Sequence, residues 1–128
     1  MILLWNSAEM TVRLLLIEGD TRHEYEWPAG RELACDMLAY LRDRLAEHSK
    51  TFVDIKGIGT FRGPGSFTGL RIGLTVLNTL ASASAIPIVG AVGGDWQRDC
   101  LARLAAGQDD KIVLPEYGGE AHITKPKK

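Results

Sequence analysis

The sequence predicts an α/β domain on a mixed sheet, and three observations carry that expectation. Apolar residues alternate or run in short blocks through the first 27 positions, which is strand patterning. They recur at spacings of three and four over 31–48 and 67–84, which is helix patterning. Further short apolar blocks follow at 55–61 and 88–92. The order is then three strands, helix, strand, helix, strand, helix, as in α/β domains with a mixed sheet. A chain of 128 residues holds one such domain with its own core and is too short for two ordinary ones.

Each element has a local reason. Met1–Asn6 and Val12–Ile17 are apolar runs, and Thr21–Trp27 alternates as a strand with one wet face does. Gly19-Asp20 supplies the tight turn between the second and third, so the three read as an antiparallel meander. Pro28-Ala29-Gly30 closes the meander and opens a helix over Arg31–His48, with Ala34, Leu38, Leu41 and Leu45 on its apolar stripe and Leu33 and Met37 widening it. Residues 49–54 connect to a buried strand, Ile55–Phe61. The second helix, Phe67–Ser84, is apolar on nearly every side: Leu70, Leu74, Leu77 and Ala81 form one stripe and Ile72, Val76 and Leu80 another. Such a helix must be covered all round, by the sheet on one side and a partner chain on the other. Pro87 stops the helical pattern before the strand Ile88–Val92, and Trp96–Ala106 reads as a third amphipathic helix. Lys111–Leu114 is expected to be a last short strand. The domain is read as residues 1–114, and 115–128, with Lys125, Lys127 and Lys128, as a tail expected to fray.

Composition excludes several classes. Fifteen Lys and Arg against 16 Asp and Glu give a net charge of −1, which argues against a generally basic nucleic-acid binder. Two cysteines, Cys35 and Cys100, are too few for a disulfide framework and fit a reducing cytoplasm, where both read as buried small hydrophobes. His23, His48 and His122 are far apart and share no metal-ligand spacing, so surface histidines are expected. No basic region precedes the first apolar run, as a signal peptide requires. The stretch Ile72–Gly94 carries no charge, yet its Thr, Asn, Ser, Pro and Gly content favours a helix followed by a buried strand over a membrane span. Asp109-Asp110 reads as a solvated loop.

Six of the 14 glycines fall between Gly57 and Gly73, which marks this segment as one with a special backbone. The run Gly63-Pro64-Gly65-Ser66-Phe67-Thr68-Gly69-Leu70-Arg71-Ile72-Gly73 joins a strand end to a helix start. Ser66 is placed to cap the helix, and the amides around Gly63, Gly65, Ser66 and Thr68 are placed to hold an anion or phosphate. The residues also suit a plain tight turn followed by close helix packing, and both readings stay open. No Lys-Ser/Thr follows the glycines, as a Walker loop requires, and Gly65-Ser66-Phe67 is not a nucleophile elbow. Arg71 is the one charge in this helix. It either meets an acidic partner or an anion, or lays its stem along the helix with its head in water.

The same eleven residues, preceded by Ile55-Lys56-Gly57-Ile58-Gly59, resemble the signature of the TsaB (YeaZ) proteins, and the resemblance extends over about Met1–Val92. It implies a single lobe of the actin/Hsp70-like, ribonuclease H-like fold: a mixed sheet with a three-stranded antiparallel meander and packed helices. It further implies a non-catalytic scaffold in making threonylcarbamoyladenosine on tRNA, docking a TsaD-like catalytic subunit through helices 31–48 and 67–84. The implied interface is Leu70, Arg71, Gly73, Leu74, Leu77, Met37 and Leu41. The resemblance also implies recruitment of a TsaE-like ATPase, indirect contact with tRNA, and ATP or ADP held only at the interface with the catalytic partner. No catalytic residue or metal ligand is expected.

Two departures matter. Where family members have an Asp-Thr-Ser loop after the first strand, this chain has Asn6-Ser7-Ala8, and loss of that carboxylate argues against independent ATP hydrolysis. The length leaves no room for the family's second lobe. Two alternatives stand beside the scaffold: a small nucleotide-binding phosphotransferase using the 63–68 turn, and a homodimeric scaffold packed helix to helix.

Overall fold

The structure is a computed structural model and describes residues 1–65 and 67–116. Its strands are β1 (Ile2–Asn6), β2 (Val12–Glu18), β3 (Thr21–Trp27), β4 (Gly57–Phe61) and β5 (Ile88–Ala91); its α-helices are α1 (Leu33–Ala46), α2 (Phe67–Ser84) and α3 (Trp96–Ala105). One five-stranded sheet runs β3-β2-β1-β4-β5. The first three strands pair antiparallel, and β4 and β5 join β1 in parallel. This is the expected meander, with helical crossovers making the parallel half.

Register sorts the core. Leu3 lies opposite Leu16 and Trp5 opposite Leu14, and these four face α1 and α2 with Ile58 and Ile88. Leu4, opposite Leu15, faces the other way with Val89, Trp96 and Cys100, beneath α3. β1 is central, so its residues Leu3, Leu4 and Trp5 are fully buried on both faces. Such a strand reads as a continuous apolar run.

The structure departs from the expected elements at α1, at the start of β4 and after α3, and β2, β5 and α3 each end one residue from the expected bound. The first turn of the helix over 31–48 is 3-10 (Gly30–Glu32), and α1 ends at Ala46. Its buried stripe is Leu33, Met37, Leu41 and Leu45, while Ala34, Leu38 and Cys35 are exposed. Both stripes satisfy helical spacing. Stacking of Tyr40 on Trp27 of β3, with ring centroids 4.2 Å apart, accompanies the observed rotation. β4 starts at Gly57, after a 3-10 turn over Phe52–Asp54, and Lys56 N–H donates across to Met1 O at 2.7 Å just before it. Lys111–Leu114 is not a strand: Val113 N–H donates to the side chain of Asn78 rather than to a ladder. Residues 115 and 116 pack with the domain, since Glu116 N–H donates to Arg62 O at 2.6 Å. The tail from 117 onward, with its three lysines, lies outside the described residues. No helix among those described is long and apolar enough to cross a membrane.

Candidate functional site

The glycine-rich turn lies where the parallel strands β1 and β4 end, beside the Asn6-Ser7-Ala8 turn. Asn6 Oδ1 accepts from Ala8 N–H at 2.9 Å, so its side chain is used in closing its own turn. Ala8 is buried, and a Cβ on Gly65 would lie 2.5 Å from Ala8 Cβ. Gly63 has φ +134°, left-handed backbone that favours glycine, and a Cβ there would strike the main chain of Glu116. The turn is thus closed around by its own neighbours. Gly65 and Thr68 are exposed, whereas Ser66 lies outside the described residues. The amide of Asn6 stands where the resemblance places a carboxylate, and its oxygen is engaged by Ala8 N–H.

The expected interface residues fall mostly inside the protein. Met37, Leu41, Leu70, Leu74 and Leu77 are buried between the helices and the sheet, so they do not line a surface. Gly73 is buried too, and a Cβ there would meet Ser7 Oγ and, at 2.5 Å, Trp5 Nε1. The close approach that its small size permits is to β1 of the same chain. Trp5 Nε1–H donates to Ser7 Oγ at 2.9 Å, and Ser7 in turn donates to Gly69 O at 2.8 Å, which satisfies the buried polar atoms at the contact. Arg71 alone of the group is exposed. A helix laid on a sheet buries its central stripe and leaves its flanks. The flank of α2 is Ile72, Val76 and Leu80, all half-buried. On α1, Tyr40 and Arg44 lie on the β3 side, and Leu38, 52% exposed, lies on the opposite flank, toward α2.

A second cluster joins β3 to the end of α1. Tyr25 Oη donates to Glu47 Oε1 at 3.0 Å and lies 2.7 Å from His48 Nε2, while His23 and His48 stack at 3.8 Å. The Arg44 guanidinium lies over the rings of Tyr25 and Tyr40 and pairs with Glu47 at 2.8 Å. Burial pushes the Tyr25 hydroxyl up to about 12, with Glu47 adding to the shift. Two histidines expected to be separate surface residues are therefore neighbours. The signal was the alternation His23, Tyr25, Trp27, which sends all three side chains to one face of an edge strand.

Cys100 is buried as expected, its Sγ 3.9 Å from Thr60 O and 3.8 Å from Val89 O, and burial pushes its thiol up to about 11. It packs in the cluster beneath α3 with Leu4, Val89 and Trp96. Among the described residues no group of three or more His, Cys, Asp or Glu is placed to hold a metal ion. His122 lies outside them.

Comparison with known proteins gives one family match and several relatives. The family model described as "TsaD: tRNA N6-adenosine threonylcarbamoyltransferase" matches residues 29–92, which is half of the chain. The tRNA threonylcarbamoyladenosine biosynthesis protein TsaB of Escherichia coli K12 is 31% identical over 88 residues, covering 64% of this chain and 38% of that protein. A tRNA N6-adenosine threonylcarbamoyltransferase of Pelobacter propionicus is 33% identical over 81 residues, covering 62% and 23%. Among solved structures, YeaZ from Pseudomonas aeruginosa superposes with a TM-score of 0.66 at 26% identity, over 71% of this chain and 43% of that one. A second solved chain, a protein with similarity to peptidase YeaZ from Pseudomonas aeruginosa, gives 0.64 at 27%, over 71% and 42%. The chain spans less than half the length of each of these relatives. The five-stranded mixed sheet is the ribonuclease H-like lobe that these proteins share. Signature motif, strand order and relatives agree, and the chain belongs to the TsaB (YeaZ) family, within the fold group that the TsaD model describes.

Proposed function

We propose that this chain is an accessory, non-catalytic subunit in forming N6-threonylcarbamoyladenosine on tRNA, and that it docks a TsaD-like catalytic subunit on the outer faces of α1 and α2. The observation that carries this reading is the half-buried apolar flank Ile72, Val76 and Leu80 of α2, continued by exposed Leu38 of α1. Around it α2 presents only Arg71 as a charge, with Thr75 and Thr79 exposed beside it. A surface helix of a free-standing domain carries several charges on its outer face, and this one carries a single one over 18 residues. An apolar centre with a polar rim and one arginine is the make-up of a protein interface. The names of the relatives supply the reaction and the partner's chemistry.

In this reading Arg71 sits at the rim of the contact, and the buried leucines act by holding α1 and α2 in place. ATP or ADP, where it takes part, binds at the junction with the catalytic partner, because the Gly63 turn is closed by Ala8 and Glu116. A TsaE-like ATPase engages the assembled pair, tRNA is held by the partner, and the work is done in the cytoplasm.

The test is to mix the purified chain with the TsaD-like subunit of the same organism and follow co-elution, then to digest tRNA from a deletion strain and quantify the modified nucleoside. A stable complex and a loss of the nucleoside restored by the intact gene are the expected results. No complex together with unchanged tRNA contradicts the proposal.

A further inference from the structure

β5 is an outer strand of the sheet, and an outer strand ordinarily turns alternate N–H and C=O groups toward solvent, where another chain can add. Pro87 O and Ala91 O accept from Ile58 and Arg62 on the β4 side, so the outward groups belong to Ile88 and Gly90. All four are taken. Ile88 N–H donates to Asp109 Oδ1 at 3.1 Å, and Ile88 O accepts from Asp110 N–H at 2.7 Å. Gly90 N–H donates to Asp110 Oδ2 at 3.0 Å, and Gly90 O accepts from Arg103 Nη1 at 2.9 Å. Arg103, on α3, also pairs with the carboxylate of Asp110 through both terminal nitrogens. Two carboxylates and a guanidinium thus occupy the positions that a sixth strand would use.

The same segment then runs on to the glycine-rich turn. Val113 fills the space beside Gly90 that a side chain there would need, and Asn78 of α2 pairs with both main-chain groups of Val113 at 2.9 Å. Arg62 Nε donates to Leu114 O at 2.9 Å, and Glu116 N–H donates to Arg62 O with the Glu116 main chain against Gly63. Apart from Val113 the attachments are polar: Ile112 and Leu114 are each 64% exposed. A segment fastened this way, with one buried apolar anchor, has little to hold it once its polar contacts fail.

We infer that residues 109–116 are a latch, fastened by Asp109, Asp110 and Arg103, that closes the outer edge of β5 and covers the Gly63 turn, and that opens as one unit while the rest of the lobe stays folded. The latch couples α3 to the strand ends at which the candidate site lies. It is independent of whether a TsaD-like partner docks on α1 and α2.

Native-state hydrogen exchange on the full chain tests this at five amides: Ile88, Gly90, Asp110, Val113 and Glu116. The expected result is one shared opening, with protection at least about tenfold weaker than at the β1 amides. Asp110→Asn should speed all five together by about tenfold or more, since it removes charge-assisted hydrogen bonds to Arg103 and Gly90. Acceleration at Gly90 alone would show separate contacts and overturn the latch. So would exchange of all five only together with β1. Should Asp110→Asn fail to fold, exchange of the unaltered chain in graded urea distinguishes the same two results.

Discussion

The two faces of the sheet are built by different rules. On one, α1 and α2 enclose a continuous apolar core from Leu3 and Trp5 to Leu77 and Ile88, with the buried hydroxyls of Ser7 and Thr60 each donating to a main-chain oxygen. On the other, α3 covers a small cluster around Leu4, Val89 and Cys100, and the sheet edge beside it is held by carboxylates and an arginine. The first face carries the fold and then presents an unfinished apolar flank. The second is finished, but with contacts that depend on charge. Partner binding is therefore expected on the α1–α2 face and local opening at the outer edge of β5, where Val113 is the one residue that reaches into the α1–α2 core.

The largest effect that sharpens this contrast is on the α1–α2 core. Leu77→Ala, at a fully buried position, should lower the stability read from urea unfolding by about 2–5 kcal/mol. Gly73→Ala comes next, at about 1–3 kcal/mol, because the added methyl meets Ser7 and Trp5 where the backbone cannot yield. Near-neutral outcomes for both would mean that α2 is not the pillar described.

Acid acts on the other face. Asp109 is held below the ordinary carboxylate range, first by the Ile88 N–H and then by Lys111. Burial pushes Asp110 up, but Arg103, the Gly90 N–H and Arg62 together outweigh it and hold it low. A carboxyl with a depressed folded pKa contributes stability that is fully present above its unfolded value, near about 3.9, and lost as pH falls through the folded one. Urea midpoints should stay level between about pH 5 and 7 and drop below about 4. The drop should be shallower in the double variant Asp109→Asn/Asp110→Asn. An equal drop in both would place the acid sensitivity elsewhere, at Asp54 or Glu18, whose carboxyls are also held low.

Much of this was legible in the sequence, and what escaped has a common cause. The meander, α2 with its bounds and α3 followed from periodicity and turn residues, which act locally. The rotation of α1 escaped because Ala34 and Leu38 satisfy helical spacing as well as Leu33 and Met37 do; the packing of Tyr40 on Trp27 decides between them. Asp109 and Asp110 read as solvated because their partners are main-chain amides about 20 residues away. No side-chain pattern advertises those amides. The expected interface failed for a related reason. The most apolar stripe of α2 is the stripe that the sheet itself consumes, and helical spacing alone does not tell it from a stripe that a partner covers.

That last distinction leads to the most direct test. Val76→Asp should leave the fold nearly intact, since the side chain is half-buried on the flank, and should abolish co-elution with the TsaD-like subunit. Thr79→Asp, on the exposed side of α2, should leave co-elution within about threefold of the unaltered chain, as substitutions at an interface rim do. Full binding by a folded Val76→Asp protein would contradict the docking surface on α1 and α2.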